Sequence, residues 1–575
     1  MATQAPSQPT QPTRVAPHLG DALASPGSLA MRGTTRWVAL GALTLAAVLV
    51  FWLFDALPFQ DLPAHAGLIA MRHRFDASPF EQRFFVFAPH LGPYSLFRYL
   101  GDVLVAPLGP LGAIRAIATL PMIATPFALL WARRRLHGDR ATTAAYYGLA
   151  LGFGFMTLLG FASYLLGVAV LIFALTTWLE LMVAADDRSP RAARWEIASA
   201  CLAPCVLLAH GHAFVIFLGL AGVSAVAAGH RVRRLVRLRA LLPAVGLAAW
   251  AAWRERAGVL PAGSVALPHA DLVPHFQGIL DKLSLLITPT LITRTGVDAA
   301  VGLFVWTVIV LAVGATARSL RLPFGVGAAA GGPSGPSGPS GRTTADAASE
   351  RASRAHSKAL LAALITLAAA FLVLPHSIGW FGFVDGRLVP LLLLLGLMAV
   401  RRAALGPLLR STFERGAPVA ACAMVVIALV ASKVFQGEAS GWREVIDAVP
   451  ANVRLLNLPI DPNSAVFTAH PFVHYDKLVL ADRPVVVSDV WFHQGSAIYP
   501  TADNPALRLP STYSESDLRS IDWPAYRLSD WDYVLIRTRP AASEPSVPPE
   551  LRLAVHRGGW WLYRNVPLAS VPARP

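Results

Sequence analysis

Charge is scarce in this sequence. Only 14% of its 575 residues are Asp, Glu, Lys or Arg while 55% are hydrophobic, and the mean hydropathy is +0.51. That excludes a soluble domain of this length, in which about a quarter of the residues would be charged. Cysteine is scarcer still: Cys201, Cys205 and Cys422 are the three present. All fall inside apolar runs, which excludes a disulfide framework and a thiolate metal site and leaves them as small buried hydrophobes. Residues 1–36 lack the charged and apolar segments of a cleavable signal peptide. Rich in Pro, Ser, Thr and Gln, they read as a disordered cytoplasmic tail. Acidic residues are outnumbered 34 to 49, for a net charge of +15. The arginines behind that excess sit in short clusters between apolar runs, where orientation signals belong, so the basicity points to a lipid bilayer and to no nucleic acid.

Long apolar runs are what the chain has instead. Eleven are readable, at about 37–57, 100–131, 141–160, 164–184, 196–211, 213–228, 240–256, 298–316, 359–375, 387–400 and 417–434, and they predict a polytopic α-helical membrane protein. With the N-terminus inside, eleven crossings place RRRLHGDR (133–140), RSPRAAR (188–194), HRVRRLVRLR (230–239) and RRAALGPLLRSTFER (401–415) all on the cytoplasmic side. Basic loops flank 196–228 at both ends, so that stretch must cross twice, with AHGHAF (209–214) as an outward turn. The transmembrane region then covers 37–316, including a first outer loop at 58–99, and 359–434. Between them, 317–358 contains GGPSGPSGPSGR and reads as a flexible cytoplasmic linker.

Composition changes after the last run. Residues 435–575 are polar and contain Trp and Tyr, which predicts a small extracytoplasmic α/β domain. WREVIDAV (442–449) is helix-like, AVFTAH (465–470), PVVVSDV (484–490) and DYVLIRT (532–538) are strand-like, and LAVHRGGWWLYRN (553–565) reads as a hairpin about Gly558 and Gly559.

On this topology the unusual polar residues gather outside: Asp61, His65, His73, Asp76, Glu81 and His90 in the first loop, His210 and His212 in the turn, then His269, Asp271, His275, His376, Asp385 and Arg387. Ionisable groups converging at one face of a membrane protein mark a candidate site. Within QDLPAH (60–65), Pro63 suits a first helical turn, so Asp61 has a purely structural reading as a helix cap with His65 one turn on. A cap requires neither that histidine nor the long aromatic loop behind it. FEQRFFVFAPHLGPYSLF (80–97) reads as a re-entrant or interfacial helix.

A first outer loop opening on D-x-P-x-H, a many-spanning body and a terminal outer α/β domain together resemble the bacterial GT-C class of polyprenyl-phosphate-sugar-dependent glycosyltransferases. Uncharacterised bacterial members of that general kind are the nearer likeness, carried by QDLPAH, GFASYLLGVAVLIFAL (160–175), LLAHGHAF (207–214), GWFGFVDGRLVPLLLL (379–394), DYVLIR and GGWWLYR. The resemblance implies transfer of a sugar from a polyprenyl-phosphate donor to an envelope glycan, lipid or protein acceptor at the outer face of a bacterial inner membrane. It implies Asp61 as general base and Arg72, Arg74 and Arg387 as phosphate contacts. His65, His210, His212 and Asp385 complete the expected substrate-binding set. A divalent metal is the candidate cofactor, with Asp61, Asp76 and Glu81 as its candidate ligands. Many members of the class carry two adjacent acidic residues here, whereas Asp61 is flanked by Gln60 and Leu62. Two other classes fit parts of the pattern. Outer-facing ionisable residues also describe a transporter or flippase, although the sequence has no clear internal repeat. A non-catalytic assembly or glycan-binding protein would use Trp491, Trp523, Trp531, Trp560 and Trp561 as stacking faces, residues that equally suit a domain core or the membrane interface.

Overall fold

The computed structural model describes residues 33–186, 190–227, 236–257, 260–265, 273–287, 290, 292–321, 344–379, 381–490, 497–518 and 520–566. Most of the tail, the middle of the linker, His269, Asp271 and Trp491 lie outside the described residues. All eleven apolar runs carry helix, in unequal lengths. Among the described residues six helices are long and apolar enough to cross a membrane: α4 (Ser95–His137), α7 (Ala162–Asp186), α8 (Ala192–Ala209), α12 (Val297–Arg321), α13 (Thr344–Val373) and α15 (Pro407–Glu438). Shorter apolar helices are α1 (Gly33–Leu49), α9 (Gly211–Ala227) and α14 (Leu388–Ala399). Their outward faces remain greasy: Val103, Val215, Leu303, Ile365, Val373 and Val419 are each more than half exposed. Such helices are solvated by lipid, because water would leave these faces unpaid by any burial.

Local chemistry explains the departures from eleven uniform spans. The run at 141–160 breaks into α5 (Thr143–Leu151) and α6 (Phe155–Leu158), with Gly152 and Gly154 at the break. In α4 the backbone leaves helical geometry at Gly109 (φ 67°), between Pro107 and Pro110, which cannot supply the amide hydrogens an unbroken helix needs. The linker expected over 317–358 is helical at both described ends, α12 running to Arg321 and α13 beginning at Thr344. Glu350 bonds Arg354 one turn on (3.1 Å) and also pairs with Arg401, which holds this part of α13 against the body. Nor are the cysteines buried: Cys201 and Cys422 are exposed on α8 and α15. Apolar sequence in a bilayer protein can face lipid as readily as the interior.

The C-terminal unit is a five-stranded mixed sheet in the order β5 (Val485–Val487), β4 (Val453–Pro459), β7 (Tyr533–Arg537), β9 (Trp560–Asn565) and β8 (Leu551–Arg557). β4 is parallel to both β5 and β7, and β7 and β8 flank β9 antiparallel. The expected helix forms as α16 (Trp442–Asp447), and the hairpin turns at Gly558 (φ 56°). No strand forms over 465–470. That segment is pinned instead to the loop before α12, by a single bridge between Thr293 and Phe467 and by the amide of Arg294 donating to Val466 O at 2.8 Å. Trp531, Trp560 and Trp561 are buried in the sheet's packing, so they offer no stacking face.

The first outer loop belongs structurally to this unit. It forms α2 (Leu62–Arg74), α3 (Pro79–Phe84) and β1 (Phe85–Phe87), and β1 pairs antiparallel with β6 (Ile498–Pro500) in the register Phe85 to Pro500. Phe84 and Phe85 are buried here, so the aromatic run is not the interfacial helix that its composition predicts: its apolar rings pack on the C-terminal unit. On one side α2 packs on α4 and on the other on α17 (Lys477–Asp482). Gly67 lies so close to α17 that a Cβ there would sit 2.9 Å from Leu480 Cβ.

Candidate active site

Asp61 occupies the N-cap position of α2 with φ −93° and ψ −12°, yet its side chain makes no capping hydrogen bond. The capping explanation therefore fails. Its backbone is held by the broken segment before α7: Gln60 N donates to Leu158 O (2.9 Å) and Asp61 N to Leu159 O (3.1 Å). Gly160, at φ 78°, permits that approach, since a Cβ there would lie 2.8 Å from Asp61 N. The carboxylate is buried, with one oxygen 3.6 Å from His474 Nε2. Burial pushes the Asp61 carboxyl up to about 6, against the opposing pull of His474, of Arg387 and of a hydrogen bond with Gln60.

His474 arrives from the C-terminal unit, on a segment that grips QDLPAH at successive points. Tyr475 OH donates to Leu57 O (2.9 Å) and His470 N to Gln60 Oε1 (3.3 Å). Behind His474 is Glu515, whose Oε2 lies 3.0 Å from His474 Nδ1. Glu515 also accepts from Lys477 Nζ through both oxygens (2.6 Å each), from Asn457 Nδ2 (3.1 Å) and from Tyr513 OH (2.9 Å). Burial alone would raise Glu515, but Lys477 and His474 hold it down at about 2. His474 in turn is kept above the ordinary histidine range: burial opposes its charge, and Glu515 and Asp61 outweigh it. His65, one turn along α2, packs tilted against Phe97 with ring centroids 4.6 Å apart, and burial followed by the charge of His474 lowers it to about 3. It is a neutral wall of the site.

Arg387 forms the other side. It is buried, its guanidinium lies 4.0 Å from the ring centre of Phe381 and 4.6 Å from that of Phe161, and its Nε and Nη1 have no hydrogen-bond partner. Tyr164 OH donates to Arg387 O and fixes the turn into α14. His210 stands edge-on to Tyr164 and Tyr94 (5.3 and 4.9 Å), and its Nδ1 accepts from His212 N at 3.2 Å, which leaves its proton on Nε2. His212 meets Phe381 at 5.7 Å. GFASY, AHGHAF and FVDGR, distant in sequence, thus form one aromatic cluster around Arg387, whose charge acts on Asp61.

Other expected site residues are engaged elsewhere. Asp385 is fully buried but occupied, ion-paired with Lys282 Nζ (3.2 Å) and bonded to His376 Nδ1 (2.9 Å) and Gly386 N (2.7 Å). It shapes the loop that carries Arg387. Arg72 pairs with Asp102 and lies over the Phe87 ring. Arg74 is consumed by Glu81, with Nη2 to Oε1 at 2.6 Å, and by Leu480 O at 2.7 Å. Both arginines thus have acidic partners away from Asp61. The metal set also fails to assemble. Asp61 precedes α2 and Asp76 and Glu81 follow it, so the 13 residues of that helix, at 1.5 Å rise per residue, put roughly 20 Å between them. Glu81 is saturated by Arg74 and Asp76 is exposed. Among the described residues, no group of three or more His, Cys, Asp or Glu is placed to hold an ion.

His474, Glu515 and Lys477 were not legible as site residues. The one hint is HYDK (474–477), three ionisable side chains in a stretch whose neighbours are apolar.

No protein-family model matches this chain, and no curated protein matches it in sequence. Its structure is similar to crystal structures of ArnT from Cupriavidus metallidurans, with a TM-score of 0.52 in the apo state and 0.51 bound to undecaprenyl phosphate. In both comparisons identity is 13%, and 94% of this chain and 100% of the ArnT chain are covered. The arabinofuranosyltransferase AftD from Mycobacteria aligns with 94% of this chain and 40% of its own, at 16% identity and a TM-score of 0.49. With its apolar helices and C-terminal sheet, the chain is a multi-pass membrane protein of the GT-C fold.

Proposed function

We propose that this protein transfers a sugar from a polyprenyl-phosphate donor to an acceptor hydroxyl of the cell envelope, with Asp61 as the base. The observation that carries the reading is a buried carboxylate and a buried guanidinium that lie within electrostatic reach of each other and form no ion pair. Asp61 has a hydrogen bond with the Gln60 side chain and an imidazole 3.6 Å away, beyond ordinary hydrogen-bond reach, and Arg387 keeps two unpartnered nitrogens. Such groups await a ligand that supplies both a proton and a negative charge.

A single displacement uses both. Asp61 takes the proton of the acceptor hydroxyl as its oxygen bonds to the anomeric carbon. The bond from that carbon to the phosphate oxygen breaks, and the phosphate leaves with the electron pair, its charge met by Arg387. Attack opposite the leaving group inverts the anomeric centre. The aromatic collar of Phe161, Tyr164 and Phe381 keeps water from the guanidinium and strengthens its field. Nearby, Pro58, Phe59 and Leu158 line a small apolar recess with Val50 and Ala428 of the membrane helices. ArnT, similar in fold, has been seen with undecaprenyl phosphate, which supports a polyprenyl carrier here. The charge parity of the loops supports a bacterial inner-membrane location with the N-terminus cytoplasmic and the C-terminal unit outside.

The test is transfer of labelled sugar by the purified full-length protein from a panel of undecaprenyl-phosphate sugars to membrane-extracted glycans and lipids. Transfer from at least one donor, abolished in Asp61→Asn, is expected. Substrate uptake into vesicles with no transfer from any donor would instead identify a carrier.

A further inference from the structure

We propose that His474, clamped by Glu515, is a positioning residue that keeps the Asp61 carboxylate ionised and aimed, so that the C-terminal unit completes the catalytic centre. This rests on Asp61 being the base. The contacts that argue for it run in one line: Asp61 Oδ1 to His474 Nε2 (3.6 Å), His474 Nδ1 to Glu515 Oε2 (3.0 Å), and Glu515 to Lys477 Nζ (2.6 Å). A carboxylate buried as deeply as Asp61 tends to take up a proton, and a protonated Asp61 cannot act as a base. Two cations oppose that tendency, His474 and Arg387. Only His474 has its charge enforced from behind by an ionised carboxylate, since Nδ1–H donates to Glu515 and leaves Nε2–H to face Asp61.

The rest of the surroundings is consistent with this division of work. Facing Asp61 are His474, Arg387, the Gln60 side chain and, one turn along, the neutral His65. Facing His474 are Asp61, Glu515 and Lys477, and facing Glu515 are Lys477, His474 and the buried carboxyls Asp476 and Asp489. Asp476 is itself raised to about 7 by burial, so it competes only weakly for the imidazolium. Glu515, held at about 2, is the anion that survives at every working pH. The same segment fixes the base from three points, Leu57 through Tyr475, Gln60 through His470, and Asp61 through His474. A base mounted on a loop leaving a membrane helix would otherwise have no rigid support on its outer side.

The protonation of Asp61 can be read without knowing the donor. A hydrophobic carbodiimide, dicyclohexylcarbodiimide, reacts with the protonated carboxyl, and mass spectrometry of the peptide containing Asp61 gives the labelled fraction at each pH in the full-length, detergent-purified protein. In the wild type, labelling should fall with a midpoint near pH 6. In His474→Gln, which keeps an N–H donor and loses the charge, the midpoint should rise by at least one pH unit with an unchanged melting temperature. Glu515→Gln, which leaves His474 in place without its anion, should move it the same way by less, and it carries the test if His474→Gln does not fold. An unmoved midpoint in a folded variant overturns the proposal. If the midpoint moves but Asp61→Asn still transfers sugar at the wild-type rate, the charge coupling stands and the base assignment falls.

Discussion

Two buried carboxylates stand on the same side of this fold, each beside a histidine and a cation, and they behave differently. Asp385 is engaged: its Oδ1 accepts from His376 and the Gly386 amide, Lys282 Nζ lies 3.2 Å from its Oδ2, and no part of the residue is accessible. Asp61 has an imidazole at 3.6 Å and is acted on by the charge of Arg387, and burial leaves it at about 6. The difference teaches that residue type and burial do not mark a functional acid. What separates the two is whether a close ion pair already claims the carboxylate: Lys282 holds Asp385 at 3.2 Å, whereas the nearest charge partner of Asp61 is His474 at 3.6 Å.

That comparison can be broken or sharpened by experiment. Asp61→Asn should have the largest effect on chemistry, lowering transfer by about 10²–10⁴-fold, the worth of a general base, with melting unchanged. Asp385→Ala should do the reverse and act on stability. It strands the buried Lys282 ammonium, a loss of about 3–5 kcal/mol in denaturant unfolding, and the pair Lys282→Met with Asp385→Leu should lose less than the two single changes summed. Arg387→Lys should lower transfer about 10²-fold while leaving melting intact, since a point charge replaces the planar fork that meets the phosphate.

A pH profile follows with its sign fixed. A carboxyl held at about 6 is protonated below that value, so transfer should rise as pH increases through about 6. A profile already flat from pH 5 would disconnect Asp61 from the rate. The smallest effect is expected at Arg72→Ala, because Asp102 is partly exposed and such a pair contributes at most about 1 kcal/mol. A large loss of transfer in that variant would return Arg72 to the site.

The sequence made the lipid-facing part of this molecule readable because apolar runs are local. Helix appears at every one of the eleven, and the turn at His210 between α8 and α9 falls where charge parity requires it. Span lengths were less legible, since Gly152, Gly154 and the prolines about Gly109 act on backbone geometry and not on hydropathy. Asp61, Arg387, His210 and His212 stood out as ionisable residues expected outside, and Tyr164 brings Arg387 and His210 together while the charge of Arg387 acts on Asp61. Arg72, Arg74 and Glu81 share that signature but pair locally, a distinction set by which helix face meets which neighbour. His474 and Glu515 lie more than 400 residues beyond Asp61. Only the docking of α17 against α2, permitted by Gly67, brings that distant charge to the base.

The most direct test of the central claim is a side-by-side transfer assay of wild type and Asp61→Asn, each normalised to folded protein, with the donor that the wild type accepts. The account predicts at least a hundredfold loss in Asp61→Asn at pH 7 with the melting curve preserved. Equal transfer by the two proteins would contradict it.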